Sequence, residues 1–188
     1  MNILLGITGS VAALKLRPLV EALLATGGPN TIVRVVATQH ALHFVPKEDI
    51  LALRMVHRTE VCTDADEWAA WHQRGDPVTH IDLRTWADVF VIAPLDANTL
   101  AKISHGLCDN LLTCVARAWP VSQKPIIVAP AMNTSMWEHP LTQPQIKILQ
   151  DVLMVRVVPP VVKVLMCGEN GMGAMAAVDD IVTEVFRR

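Results

Sequence analysis

No stretch of this 188-residue chain approaches the roughly 20 consecutive apolar residues that a bilayer-spanning helix needs. The longest apolar runs, within Asp88 to Leu95 and Ile126 to Met132, are strand-sized, so no membrane partner is expected. There is no CxxC pair among Cys62, Cys108, Cys114 and Cys167, and no metal site is expected. There is no basic stripe either: 16 Lys and Arg lie scattered among 18 Asp and Glu for a net charge of -2, which argues against nucleic acid as a partner. The chain opens without a basic region followed by an apolar signal core, which, with the cysteine usage, points to a reducing, cytoplasmic setting. A GxGxxG fingerprint is missing, against a dinucleotide. Internal repeats and low-complexity tracts are absent as well.

What the sequence does have is apolar content, 52% hydrophobic residues with a mean hydropathy of +0.36. Without a membrane to receive it, that surplus is expected in a buried sheet and in subunit contacts of an oligomer. The length suits one hydrophobic core, so residues 1–188 are expected to form a single domain.

Met1 to Ile7 reads as a buried strand running into Gly9-Ser10, after which Leu14, Leu16, Leu19, Val20, Leu23 and Leu24 recur at near-helical spacing. Further apolar runs at Thr31 to Ala37, Asp88 to Ala93 and Pro125 to Ala129 predict strands. Helices are predicted over Ala97 to Ile103, Cys108 to Trp119 and Thr142 to Val152, the last with a capping box formed by Thr142 and Gln145 around Pro144. Near-continuous apolar strands alternating with helices indicate a mostly parallel sheet covered on both faces. The predicted fold is therefore α/β and doubly wound, a Rossmann- or flavodoxin-like three-layer sandwich. Two segments interrupt it: the charge-bearing stretch Glu48 to Pro77, with Trp68 and Trp71, reads as a helix-and-loop excursion. Val157 to Ala177, with Pro159, Pro160, Gly168, Gly171 and Gly173, reads as a surface loop or flap.

In doubly wound sheets ligands settle beyond the carboxyl ends of the strands, and the polar motifs lie there or in the tail. Ile7-Thr8-Gly9-Ser10-Val11 joins the first strand to the first helix, where unpaired N–H groups and the helix dipole favour an anion. The same residues also describe an ordinary turn with Ser10 as N-cap. Ala93 to Lys102 gathers small and hydrogen-bonding residues that suit the edge of a flat polar ring, or simply cap a helix through Asp96, Asn98 or Thr99. In Ala129 to Trp137, Met132, Met136 and Trp137 are ordinary core residues by type, yet they bracket Asn133 at a strand end, where a core needs no carboxamide. His80 among Val78, Ile81 and Leu83 reads more readily as a hydrogen-bonded structural imidazole than as a catalytic one. Cys167, ahead of Gly168-Glu169-Asn170-Gly171-Met172-Gly173-Ala174-Met175, sits on a segment that can open and close, whereas the other three cysteines are expected to be buried, inert thiols.

Taken together, these windows resemble the homo-oligomeric flavin-containing cysteine decarboxylases, and most of all the branch that acts on 4'-phosphopantothenoylcysteine. The resemblance runs from Asn2 through the final helix. Pro94-Leu95-Asp96-Ala97-Asn98-Thr99 is similar to the family's PxSANT-type flavin motif, Pro130 to Trp137 fits its PxMNxxMW motif, and Cys167 to Met175 resembles its substrate clamp. The resemblance implies FMN, its phosphate near Gly9, Ser10, Val11 and the Thr38-Gln39-His40 turn, with Phe44 beside it and Ala97, Asn98, Thr99, Leu100 and Ala131 along the flavin. It implies His80 as the active-site histidine, Asn133 on the substrate carboxylate, Met136, Val164, Leu165 and Met166 as substrate contacts, and Cys167 as proton donor. It further implies a homotrimer, or a higher or mixed oligomer, whose neighbouring subunits share each pocket.

The implied chemistry follows from the substrate's needs. A cysteine carboxylate loses CO2 only when the resulting carbanion has an electron sink, so the thiol carbon is first oxidised to a thioaldehyde by the flavin. Decarboxylation then leaves an enethiol, which is reduced and protonated to give 4'-phosphopantetheine, a step of coenzyme A biosynthesis, with no net redox change. Two positions depart from the family pattern: Asp96 replaces the motif's usual Ser, and Ala177 follows Gly173-Ala174-Met175-Ala176 where an acidic residue is frequent. Rival readings are a peptidyl-cysteine decarboxylase or flavin prenyltransferase of the same fold, and a non-catalytic relative that inhibits a protein phosphatase. Cys167 disfavours the prenyltransferase, and retention of His80, Asn133 and Cys167 disfavours the inhibitor.

Overall fold

The computed structural model describes residues 1–164 and 170–187. Six parallel strands, β1 (Asn2–Ile7), β2 (Ile32–Ala37), β3 (Glu60–Cys62), β4 (Val89–Leu95), β5 (Ile126–Pro130) and β6 (Arg156–Val157), form one sheet in the order β3-β2-β1-β4-β5-β6. This is the order of Rossmann-type sheets. Because successive side chains alternate across a strand, Ile3, Leu5, Ile7, Val33, Val35 and Val91 line one face, while Leu4, Val36, Phe90, Ile92 and Val128 line the other.

Each face is sealed by helices whose apolar stripes match it. On the first lie α1 (Leu16–Gly27) through Leu19, Val20 and Leu23, α2 (Lys47–Val56) through Leu53, and the terminal helix α9 (Val178–Val185) through Ile181, Val182 and Val185. The second is covered by α4 (Thr79–Trp86) through Leu83, α5 (Ala97–His105) through Leu100, α6 (Leu111–Ala118) through Leu112 and Val115, and α8 (Thr142–Asp151) through Ile146 and Leu149. Burial of the strands on both faces is why they read as unbroken apolar runs. Two short helices stand apart: α3 (Asp64–Ala70) has no buried residue, and α7 (Thr134–Trp137) is a single turn after β5. Among the described residues, no helix is long and apolar enough to cross a membrane.

The structure corrects three sequence expectations. The Glu48 to Pro77 excursion contains β3, an edge strand of three residues in which Val61 and Cys62 are buried; so short a run carries no period of its own. The capping box expected at Thr142 does not form. Leu141 is the N-cap and makes no side-chain bond, while the Thr142 hydroxyl is buried and donates to Met136 O at 2.5 Å, tying α8 back to α7. Within the Val157 to Ala177 flap, β7 (Val161–Val164) and β8 (Asn170–Ala174) pair antiparallel as a separate two-stranded sheet rather than forming irregular loop.

Candidate functional site

The chain leaves β1 toward β2 but leaves β4 toward β5, so the loops beyond these adjacent strands diverge and open a crevice. Thr8, fully buried at the end of β1, staples the crevice floor: its hydroxyl donates to Pro94 O at 2.8 Å and accepts from the Asp96 N–H at 2.8 Å. Gly9 follows, where a Cβ would stand 2.8 Å from the His40 Cβ and 3.3 Å from Asp96 Oδ2. Three strand ends therefore meet over bare backbone. Among the described residues, the N–H groups of Gly9, Val11, Gln39 and His40 donate to no protein acceptor. Ser10 caps the following 3-10 turn by accepting from Ala12 N–H at 3.3 Å, and Thr38 Oγ1 accepts from Ala41 N–H at 3.3 Å. Phe44 closes the next 3-10 turn, half-buried and edge-on to His43.

At the end of β4, Asp96 caps α5 by accepting from the Thr99 N–H at 2.7 Å. In that first turn Asn98 is exposed and Ala97 half-buried, whereas Thr99 and Leu100 are buried, Leu100 within the core. At the end of β5, the Ala131 N–H donates to Leu95 O at 2.9 Å, and the Met132 N–H donates to Gly173 O at 2.9 Å, so the β7–β8 hairpin is hydrogen-bonded onto this loop. The approach is close. A Cβ at Gly171 would overlap Thr134 Oγ1, and one at Gly173, whose φ is +134°, would overlap the Met132 carbonyl. Between them Asn133 caps α7, its Oδ1 accepting from the Ser135 N–H at 2.8 Å, and Met136 is half-exposed. Thr134 Oγ1 is buried with no hydrogen-bond partner among the described residues.

Among the described residues, His80 forms no hydrogen bond with the crevice residues. It lies in the first turn of α4, on the outer helical layer, with Nδ1 2.6 Å from Glu67 Oε1 of α3. Sequence reasoning missed Glu67, since no local spacing links residues 13 positions apart in different helices. It also assigned no role to Thr8, although a hydroxyl ending an apolar strand is a legible signal of a buried polar bond. Leu165, Met166 and Cys167 lie outside the described residues, as does the side chain of Val164. Of the other cysteines, Cys62 is buried as expected, whereas Cys114 is half-buried and Cys108, in the connection between α5 and α6, is exposed, both against expectation. Burial pushes the Cys62 thiol up to about 12 and the Cys114 thiol up to about 11, the latter with help from nearby Glu67, so both stay protonated at neutral pH. Among the described residues, no group of three or more His, Cys, Asp or Glu is arranged to hold a metal ion.

Fold and site together define a doubly wound α/β ligand-binding protein that offers backbone N–H groups and small side chains at the switch point. Residues 1–188 match the Flavoprotein family model, and the chain belongs to that family. It is 52% identical over 184 residues, 98% of this chain and 85% of the relative, to phosphopantothenoylcysteine decarboxylase of Mus musculus. Among solved structures it resembles a Cys-to-Ser variant of PPC decarboxylase complexed with pantothenoylaminoethenethiol, with a TM-score of 0.89 and 47% identity over 98% of this chain and 95% of that one. It also resembles the FMN binding protein AtHal3, with a TM-score of 0.84 and 47% identity over 98% and 94% of the two chains.

Proposed function

We propose that this protein is an FMN-dependent carboxy-lyase that converts 4'-phosphopantothenoylcysteine to 4'-phosphopantetheine, with residues 1–188 acting as one flavin-binding unit. The observation that carries this reading is the TM-score of 0.89, over 98% of the chain, to a decarboxylase holding pantothenoylaminoethenethiol. The donor set fits the cofactor. The unpaired N–H groups of Gly9, Val11, Gln39 and His40 suit a phosphate, and the bare Gly9 turn with Ala97 and Ala131 lets a planar ring approach the backbone. Bound FMN supplies a two-electron acceptor that returns the electrons before product leaves.

The chain's own residues do the rest. Asn133, its carboxamide oriented by the Ser135 N–H, holds the substrate carboxylate, and Met136 shapes the wall beside it. The β7–β8 hairpin, docked on Met132, covers the substrate and keeps water out. His80 moves a proton through its imidazole, and Cys167 protonates the enethiol carbon. His80 reaches the substrate in a pocket shared between subunits of a homotrimer, the arrangement that the family resemblance implies. The exposed Leu51, Met55, Trp68, Trp71 and Leu107 supply apolar surface for such contacts. The free thiols of Cys62, Cys108 and Cys114 and the metabolic role agree with a cytoplasmic setting.

The test is to incubate the purified, yellow protein with 4'-phosphopantothenoylcysteine and follow CO2 and 4'-phosphopantetheine, which are expected in equal amounts. A colourless protein that binds no flavin, or one that releases no CO2, removes the proposal. Cys167→Ser should still release CO2 but accumulate the enethiol; saturated thiol formed at the normal rate would take Cys167 out of the reaction.

A further inference from the structure

We propose that Glu67 is the positioning residue of His80: it holds the imidazole as the Nδ1–H tautomer and so leaves Nε2 as the atom that exchanges a proton with substrate. The inference rests on the reading of His80 as the reacting histidine, and it goes beyond that reading by naming the group that prepares it.

His80 Nδ1 lies 2.6 Å from Glu67 Oε1, slightly closer than the roughly 2.7–2.9 Å usual for a charge-assisted N–H···O bond. An ionised carboxylate has only acceptor sites, so the proton of the pair resides on Nδ1, and in the neutral ring Nε2 then carries the lone pair. Among the described residues Nε2 has no hydrogen-bond partner. The pair is partly shielded, with 29% of the His80 side chain and 15% of that of Glu67 exposed, so water competes for the bond less than at an open surface.

The seven-residue helix α3 places no apolar side chain in the core, and alone it would be marginal in water. It is nevertheless fastened at its amino end. Thr63 and Asp66 form a reciprocal capping box, with the Thr63 N–H 2.8 Å from Asp66 Oδ2, and Asp64 Oδ1 accepts from the Leu111 N–H of α6 at 2.8 Å. Those bonds anchor α3 to a helix that does pack on the sheet. Glu67, one residue past the box, is thereby held opposite the first turn of α4. Cys114, which also lies near Glu67, stays a neutral thiol and brings no competing charge. Within its own chain α3 packs no apolar side chain into the core, and toward α4 it presents a carboxylate to a histidine.

The holoenzyme labelled with 15N-histidine tests this. In the wild type, His80 should read as protonated on Nδ1 and unprotonated on Nε2. Glu67→Ala should let the Nε2–H form appear and lower kcat on the order of 10- to 100-fold, with the substrate KM and the flavin absorbance unchanged. Glu67→Gln, which keeps an acceptor without the charge, should restore the tautomer and part of kcat, a rescue that a purely structural role for α3 does not predict. An unchanged tautomer with kcat within twofold of wild type in Glu67→Ala overturns the proposal while leaving the decarboxylase reading intact. Normal turnover by His80→Asn overturns the reading of His80 itself, and the proposal with it.

Discussion

The crevice at the switch point and the corner formed by α3 and α4 are built on opposite principles. In the crevice the working parts are backbone N–H groups and small side chains, drawn so close that Gly9, Gly171 and Gly173 have no room for a methyl group. At the corner the working parts are two titratable side chains, His80 and Glu67, on short helices that bury little. Gripping a flat, anionic cofactor is a matter of shape and fixed dipoles, best supplied by strand ends that the sheet makes rigid. Moving a proton requires an imidazole with one nitrogen held and the other open, the role proposed for the His80–Glu67 pair. Among the described residues no hydrogen bond joins the two regions, and the proposed pocket between neighbouring copies would bring them together.

The sharpest way to test that division is His80→Asn. If the corner does chemistry and the crevice only binds, this variant keeps its bound FMN, seen as an unchanged visible spectrum, and loses CO2 release by about 100-fold or more, the usual scale of a lost acid–base group. Loss of flavin together with activity would mean that the two regions are not separate. The converse test is Gly173→Ala, which forces a Cβ into the Met132 carbonyl at a φ of +134°. Strain and overlap together should cost about 3 kcal/mol, paid mainly by undocking the hairpin. The substrate KM should therefore rise at least tenfold while flavin stays bound, and an unchanged KM would show that the hairpin does not close over substrate.

How far the sequence disclosed these two regions differs in the same way. The crevice was legible because its motifs sit contiguously at strand ends: Gly9-Ser10, Asp96-Ala97-Asn98 and Met132-Asn133 all fall where the strand pattern stops and a polar residue begins. The sheet itself was legible from Ile3 to Ile7 and from Val89 to Ile92, where burial on both faces forces unbroken apolar runs. The corner was not. His80 reads as a lone imidazole because its partner comes from another helix, and the segment carrying Glu67 has no buried residue to betray a period. β3 was overlooked for a related reason, since three edge residues do not repeat. The Thr142 capping box failed because its residues had a tertiary use, the bond to Met136 O, that outweighed a local one.

Two smaller effects should stay within the crevice. Thr8→Val preserves shape but leaves Pro94 O and the Asp96 N–H without their buried partner, a loss of about 2 kcal/mol in stability measured by denaturant unfolding. The β1 and β4 ends should then separate and flavin should bind more weakly, while the 15N signature of His80 stays as in the parent. A changed signature would connect the corner to the crevice after all.

Asp96 gives the finest test, because it stands where the family motif usually has Ser. Its carboxylate accepts from the Thr99 N–H at 2.7 Å, an N-cap bond that a serine hydroxyl can also make. Asp96→Ala should therefore lower stability by about 1 kcal/mol, whereas Asp96→Ser should stay within roughly 0.5 kcal/mol of the parent, since both residues rank together as N-caps. If Ser proves as damaging as Ala, the negative charge rather than the hydrogen bond is what α5 requires, and the crevice would then depend on a titratable side chain as the corner does.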